Sequence, residues 1–432
     1  MKNPNAGADI AYAKPLYRGY VLAVLMLLYA FNFIDRQLLV ILQELIKEDL
    51  GLSDTQLGLL SGFTFALFYV VCGIPIARWA DKGTRRNIIS LAVVIWSAMT
   101  AVSGLTQNFV QLLLARIGVG VGEAGASPPA HSMISDIFKP ERRATALSIY
   151  SVGLYLGILA GFLLGGWLGQ YYGWRVAFMV VGLPGILLAV LVMLTVKEPT
   201  RGWSQNVAVS DEPSPPFMDV MRLLWSRRSF RHLAFASGLS AMVSYSTSNW
   251  LPSYFIRNFD IGMGELGTWL GLAVGIAGGA GTFFGGFLCD RFGVNDKRWY
   301  LWIPAMGSLA ALPLTIFILS TGNLTLALVF NFLPTFLSTL YLGPMIATTH
   351  NLVGLRMRAL ASAILFFVIN LVGLGVGPTL VGLLSDAMAE SYGVASLGYA
   401  MIATITGATI WGFVHFLLAA KTLREDLANA PD

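Results

Sequence analysis

Twelve long apolar runs decide what this chain can fold into. They fall at residues 18–41, 54–78, 87–106, 109–134, 144–169, 174–196, 232–256, 265–289, 300–320, 324–349, 359–385 and 395–419, numbered here as spans 1 to 12. Runs of about 20 residues, at about 1.5 Å of helix per residue, cross a hydrocarbon layer of about 30 Å. Inside that layer backbone N–H and C=O groups can pair only with one another, so the expected fold is an all-α polytopic membrane protein. An even number of crossings puts both termini on one side. With the amino terminus in the cytoplasm, 23 of the 28 Lys and Arg residues fall on the cytoplasmic side. Only Lys47, Arg175 and Arg257 fall in outer loops, and Arg36 and Arg116 are embedded. This asymmetry sets the orientation and accounts for the net charge of +5 without a nucleic-acid surface.

With 56% hydrophobic and 12% charged residues the chain is not an ordinary soluble domain. Its first sixteen residues are polar and lead straight into span 1, so no cleavable signal is expected. Cys72 and Cys289 lie in or at the ends of separate spans without the spacing of a metal site or a disulfide framework, and are expected to be small core residues.

Four charges stand out because they lie inside spans. Span 4 contains Arg116, Ile117, Gly118, Val119, Gly120, Val121, Gly122 and Glu123. Seven residues turn a helix by about 700°, which leaves Arg116 and Glu123 about 20° apart on one face and two turns apart in depth. The intervening glycines are expected to leave room around that face. Span 1 contributes Asn32, Phe33, Ile34, Asp35 and Arg36. Counted from the outer ends of their spans, Asp35 and Arg116 are level at about 9–10 Å, and Glu123 lies about 10 Å deeper.

Charges at such depth are costly and face a protein interior or a wet cavity, where they serve as relay, anchor or counter-ion. Adjacent residues point about 100° apart, so Asp35 and Arg36 address different partners. Glu123 is the expected proton carrier, with Asp35 its rival, and Arg36 and Arg116 are the expected substrate anchors or counter-charges. The second half is nearly uncharged within its spans. There Asn249, Asn331 and Asn370 are expected to face a cavity or bond a neighbouring helix. His131, His232, His350 and His415 lie near span ends and form no ligand cluster; His131, beside Pro128 and Pro129, is a further relay candidate.

The two halves repeat. In the stretch Ala77 to Arg86, between spans 2 and 3, Ala77 to Thr84 aligns without a gap on Gly286 to Gly293, between spans 8 and 9. Each has an acid at a helix end followed by bases: Asp81, Lys82, Arg85 and Arg86 in the first, and Asp290 and Arg291 in the second, with Lys297 and Arg298 beyond. This pattern, with the Arg and spaced glycines of span 4, resembles the major facilitator superfamily. The resemblance implies twelve helices in two pseudo-symmetric six-helix bundles and a cytoplasmic gate formed by these acids and bases. Asn32 to Arg36, Arg116 to Ala124 and the close of span 6 at Val196 to Gly202 are similar to the Spinster family in particular, as is Trp250 to Ser253. That resemblance implies proton-coupled transport of lysolipids or sphingosine-type lipids by alternating access.

The bundles are expected at residues 1–199 and 231–432. Residues 200–230 form a cytoplasmic linker, Ser-, Pro- and acid-rich at 210–216, ending in an amphipathic helix on the inner membrane surface. Every fourth residue of span 5 from Gly153 to Gly169 is glycine, including Gly157, Gly161 and Gly165. Span 8 answers with Gly267, Gly271, Gly275 and Gly279. Such ladders let helices approach closely in lipid, and one in each half predicts a packing seam on which the halves rock.

No nucleophile with a base, phosphate-cradling loop or metal cluster is visible, so neither an enzyme nor a nucleotide-driven pump is expected. A proton gradient would drive the cycle without a cofactor. Charge in one half and apolar wall in the other predict a ligand with an anionic or zwitterionic head and an apolar tail. A drug-proton antiporter or a small organic-anion transporter would share the architecture. The expected location is the cell (inner) membrane, and a monomer would suffice because one chain carries both halves.

Overall fold

The computed structural model describes residues 6–205, 216–354 and 357–431. The polar linker at 206–215 lies outside the described residues. Nine helical stretches among the described residues are long and apolar enough to cross a membrane. Two of them exceed one crossing, since the 55 residues of Glu141–Thr195 would make about 80 Å of straight helix. They break at Gly173 (φ 77°, ψ 166°) and Gly393 (φ 54°, ψ −129°), at positive φ, which costs glycine nothing. Arg228–Asn258, with 31 residues, is long enough but more polar than the nine. Read this way, the described helices accommodate the twelve predicted crossings.

The chain forms two compact units. One takes residues up to Leu50 and resumes at Leu67; the other takes Gly51–Ala66 and the chain from Pro213 onward. The sequence-based boundary keeps span 2 whole, whereas its outer half clusters with the second unit.

In the first unit, span 1 (Pro15–Ile41) packs along the first part of Pro140–Thr195, which holds spans 5 and 6. The glycine ladder makes that approach possible. A Cβ on Gly161 would lie 2.8 Å from Gln37 Cβ and 3.0 Å from Ile34 Cα, and one on Gly165 would lie 2.6 Å from Ile41 Cγ2. A Cβ on Gly157 would collide with the Ala30 carbonyl. The partner of this ladder is thus span 1 of the same unit. Gly161→Val is expected to cost about 1–3 kcal/mol of overpacking. The check is a lowered thermal unfolding midpoint in detergent, with Gly19→Ala, which has open space around it, as control. Equal midpoints would refute the steric reading.

In the second unit, span 7 (Arg228–Asn258) packs against span 12 (Ser396–Ala428) and against span 11, which runs as Arg358–Val368, a π-helical Ile369–Val376 and Gly377–Tyr392. In span 8, Gly271 closes the helix Met263–Leu272 region, Gly275 falls in the π-helical Ala273–Gly278, and Gly279 opens Gly279–Phe292. A tight approach lies just beyond this ladder. A Cβ on Gly281 or Gly285 would strike the carbonyl of Phe336 or Leu340 on span 10 (Leu324–Asn351). The linker helix Phe217–Ser226 buries Val220 and Leu224 in the unit's core and exposes Phe217, Met218 and Trp225, the arrangement of a helix lying at a membrane surface.

Candidate transport site

The embedded charges of the first unit converge. Span 4 runs as two helices, Phe109–Glu123 and Ser127–Ile137, because Pro128 and Pro129 start the second and cannot continue the first. Glu123 therefore ends the first helix. Gly118 and Gly122 place this helix on span 3 (Arg85–Ser103): a Cβ would lie 2.5 Å from Met99 Cγ at Gly118 and 2.7 Å from the Trp96 backbone N at Gly122. The space these glycines provide is filled by span 3 and is not left open beside the charges.

Arg36 donates from Nε to Glu123 Oε2 at 2.6 Å, and the Asn32 side chain also bonds the Glu123 carboxylate. Asp35 points elsewhere, accepting from Thr100 Oγ1 at 3.1 Å. Arg116 is 2% exposed and lies within electrostatic reach of Glu123, Asp35 and Arg36. The Arg36 guanidinium also sits 4.9 Å from the ring centre of Phe33 and 5.0 Å from that of Tyr69. Two acids and two bases thus form a nearly buried, balanced cluster on spans 1 and 4. Asp35 Oδ1 and Glu123 Oε1 have no hydrogen-bond partner among the described residues, so each carboxylate keeps one oxygen for a proton or an incoming donor. The direct partner of Glu123 is Arg36, where the sequence alone pairs Glu123 with Arg116.

The asparagines of the second unit make local bonds along their own helices. Asn249 and Asn370 donate from Nδ2 to carbonyls four residues back, Tyr245 at 2.8 Å and Phe366 at 2.9 Å. Asn331 is buried where span 10 changes from Leu324–Phe330 to Phe332–Ser338.

On the inner side of the first unit, Arg85 is fully buried. It donates from Nε to Glu198 Oε1 at 2.7 Å, from Nη1 to Asp136 and to Ser132 Oγ (2.8 Å), and from Nη2 to the Pro199 carbonyl at 3.0 Å. The Arg86 N–H donates to Glu198 Oε2 at 2.9 Å, and Arg201 Nη2 to the Ala80 carbonyl at 2.7 Å. Asp81 and Lys82 are exposed and make no ion pair among the described contacts. In the second unit's copy, Asp290 accepts from Tyr300 Oη at 2.5 Å and Arg291 is exposed, while the ion pairs belong to Asp296, with Arg298 (2.8 Å) and Arg424 (2.9 Å). Hydrogen bonds from Arg298, aided by Arg424, hold the Asp296 carboxyl down to about 2, so this contact stays ionised at any physiological pH.

Three acids carry more structure than sequence reasoning assigns them. Asp136 is an acid on the inner end of a span, against the positive-inside grain. Glu198 falls in the string at the close of span 6. Asp54 opens span 2 inside the capping box Ser53 to Gln56, a legible helix start. Within the second unit Asp54 accepts from Arg257 Nη2 and Nη1 at 2.7 and 2.8 Å and from Ser385 Oγ at 2.6 Å. The Asp386 carboxylate takes the Asp54 and Thr55 N–H groups at 3.0 and 2.7 Å. The outer tip of span 2 is thereby held by side chains of spans 7 and 11.

The family model of the Major Facilitator Superfamily matches residues 25–378. The chain belongs to the major facilitator superfamily. It is a membrane transporter and not an enzyme. A Mycolicibacterium smegmatis relative described as an MFS-type efflux pump is 34% identical over 434 residues, covering 99% of each chain. The sphingosine-1-phosphate transporter SPNS2 of Danio rerio is 27% identical, over 92% of this chain and 83% of its own. A crystal structure of a bacterial homologue of the human lysosomal transporter Spinster, inward-facing and unoccupied, superposes with a TM-score of 0.87 at 33% identity, covering 96% of this chain and 99% of that one. Within the superfamily the transporter belongs to the Spinster family.

Proposed function

We propose that this transporter couples proton movement to the passage of an amphipathic lipid of lysolipid or sphingosine type, by alternating access, as a monomer in the cell (inner) membrane. The observation that carries the reading is the buried Arg36–Glu123 pair beside Arg116 and Asp35. A buried ion pair is held in check by its own desolvation cost, and losing one member strands the other charge. An anionic head group that takes Arg36 or Arg116 therefore releases Glu123 to bind a proton, and departure of the head group lets Arg36 reclaim the ionised acid. Arg36, braced on Phe33 and Tyr69, offers a guanidinium face and an aromatic wall together, which suits a charged head attached to an apolar body. Asp35, bonded on one oxygen only, is the second proton acceptor in reach.

Export as the direction, and drugs as competing cargo, are favoured by the efflux pump with which the chain shares 34% identity. The test is proton flux in liposomes carrying the purified protein and an interior pH dye, on addition of a lysophospholipid or sphingoid lipid. Lipid-dependent acid flux is expected. Labelled lipid crossing without flux would make the protein an uncoupled facilitator, and movement of neither would withdraw the lipid assignment in favour of cationic drugs or small organic anions.

A further inference from the structure

The four histidines are not all scattered. His232, at the inner end of span 7, and His415, near the inner end of span 12, approach Nδ1 to Nδ1 at 3.0 Å. Two imidazoles joined in this way share one proton: one ring donates Nδ1–H and the other accepts. Both Nε2 atoms then point away from the shared bond and from each other. In the neutral pair one Nε2 carries a proton and the other a lone pair. One proton taken from water by that lone pair gives an imidazolium hydrogen-bonded to an imidazole, with net charge +1 and two N–H donors.

The surroundings favour an anion with an apolar tail. Arg231 lies within electrostatic reach of His232, and Arg228 is exposed one turn earlier. Phe235 and Trp411 lie 5.4 and 6.0 Å from the His415 ring. They are 43% and 61% exposed, and Val414 and Leu418 extend the same exposed strip along span 12. Acids on the packed elements are engaged or distant. Asp219 pairs with Arg222, Asp296 with Arg298 and Arg424, and Asp426 accepts the Ser229 N–H. Glu425 is ten residues, about 15 Å, beyond His415 along the helix. Glu265, Asp386 and Glu390 belong to the outer ends of their spans. Lys421 on span 12 and Arg358 on span 11 add only positive charge.

We propose that His232 and His415 form a proton-linked docking site for the phosphodiester head of an anionic inner-leaflet lipid, whose acyl chain lies along Phe235, Trp411, Val414 and Leu418. The site is distinct from the Arg36–Glu123 cluster and does not depend on what that cluster transports. Its chemistry is charge-assisted: because the two Nε2–H groups point away from each other, one of them meets the phosphate, and the extra proton makes that N–H part of a cationic pair, so bound lipid and proton stabilise each other.

With only four histidines in the chain, the full-length protein labelled with nitrogen-15 at histidine reports directly on this pair. In phosphatidylcholine nanodiscs, adding phosphatidylglycerol is expected to shift the His232 and His415 Nε2 signals towards the protonated form and to raise their titration midpoint by roughly one pH unit, about a tenfold linkage. His131 and His350 are expected not to move, which also reports an intact fold. His415→Gln is expected to remove the response at His232, and Arg231→Gln to weaken lipid affinity about tenfold. A response no greater than that to extra phosphatidylcholine, one reproduced in full by inorganic phosphate, or one that survives His415→Gln would overturn the proposal.

Discussion

Glu123→Gln is expected to reduce lipid-driven proton flux to the leak of protein-free liposomes. Glutamine fills the same volume and still accepts from Arg36, so the helix ends and the packing of spans 1 and 4 are kept. What it loses is the ability to alternate between an ionised state held by Arg36 at 2.6 Å and a protonated state released from it. Exchange of labelled lipid down its own gradient is expected to survive, because that step needs no proton. The comparison variant is Asp35→Asn, whose Thr100 hydroxyl at 3.1 Å can turn to suit the amide. Proton-driven transport that persists in Glu123→Gln and vanishes in Asp35→Asn would move the coupling role to Asp35.

Arg85→Met should lower the thermal unfolding midpoint in detergent on the order of 10 °C. Arg85 is fully buried and uses Nε, Nη1 and Nη2 on Glu198, Asp136, Ser132 and the Pro199 carbonyl. Methionine fills much of the space but leaves two carboxylates facing a site with no cation. Breaking a buried pair by removing one partner costs about 3–5 kcal/mol, which for a unit of this size is the quoted shift. Arg85→Lys is expected to recover only part of it, since one ammonium cannot span three acceptor directions. A midpoint in Arg85→Met equal to that of the parent would show that the network adds nothing to stability.

The cytoplasmic motif shows where sequence reading stops. The acids and bases at 81–86 and 290–291 align between halves, yet only Arg85 is buried and bonded as an anchor. Its partners Asp136 and Glu198 lie 51 and 113 residues away, a separation no local pattern encodes. The glycine ladder of span 5 is similar. Its four-residue spacing announces a close helix neighbour, but that neighbour proves to be span 1, and which helix fills a groove depends on all the others. His232 and His415 are 183 residues apart and meet only because spans 7 and 12 pack side by side.

Hydropathy and charge asymmetry by themselves determined the membrane-spanning helical class, the orientation and the presence of four embedded charges, because the bilayer acts on each segment separately. Motif spacing determined the family resemblance. Only the tertiary structure decided that Glu123 bonds Arg36, that Asp35 turns to Thr100, and that Asp54 ties the outer tip of span 2 to Arg257, Ser385 and Asp386. Those are pairings between segments distant in sequence. In a medium that cannot hydrate them, such groups take whatever partner the packed helices bring within about 3 Å.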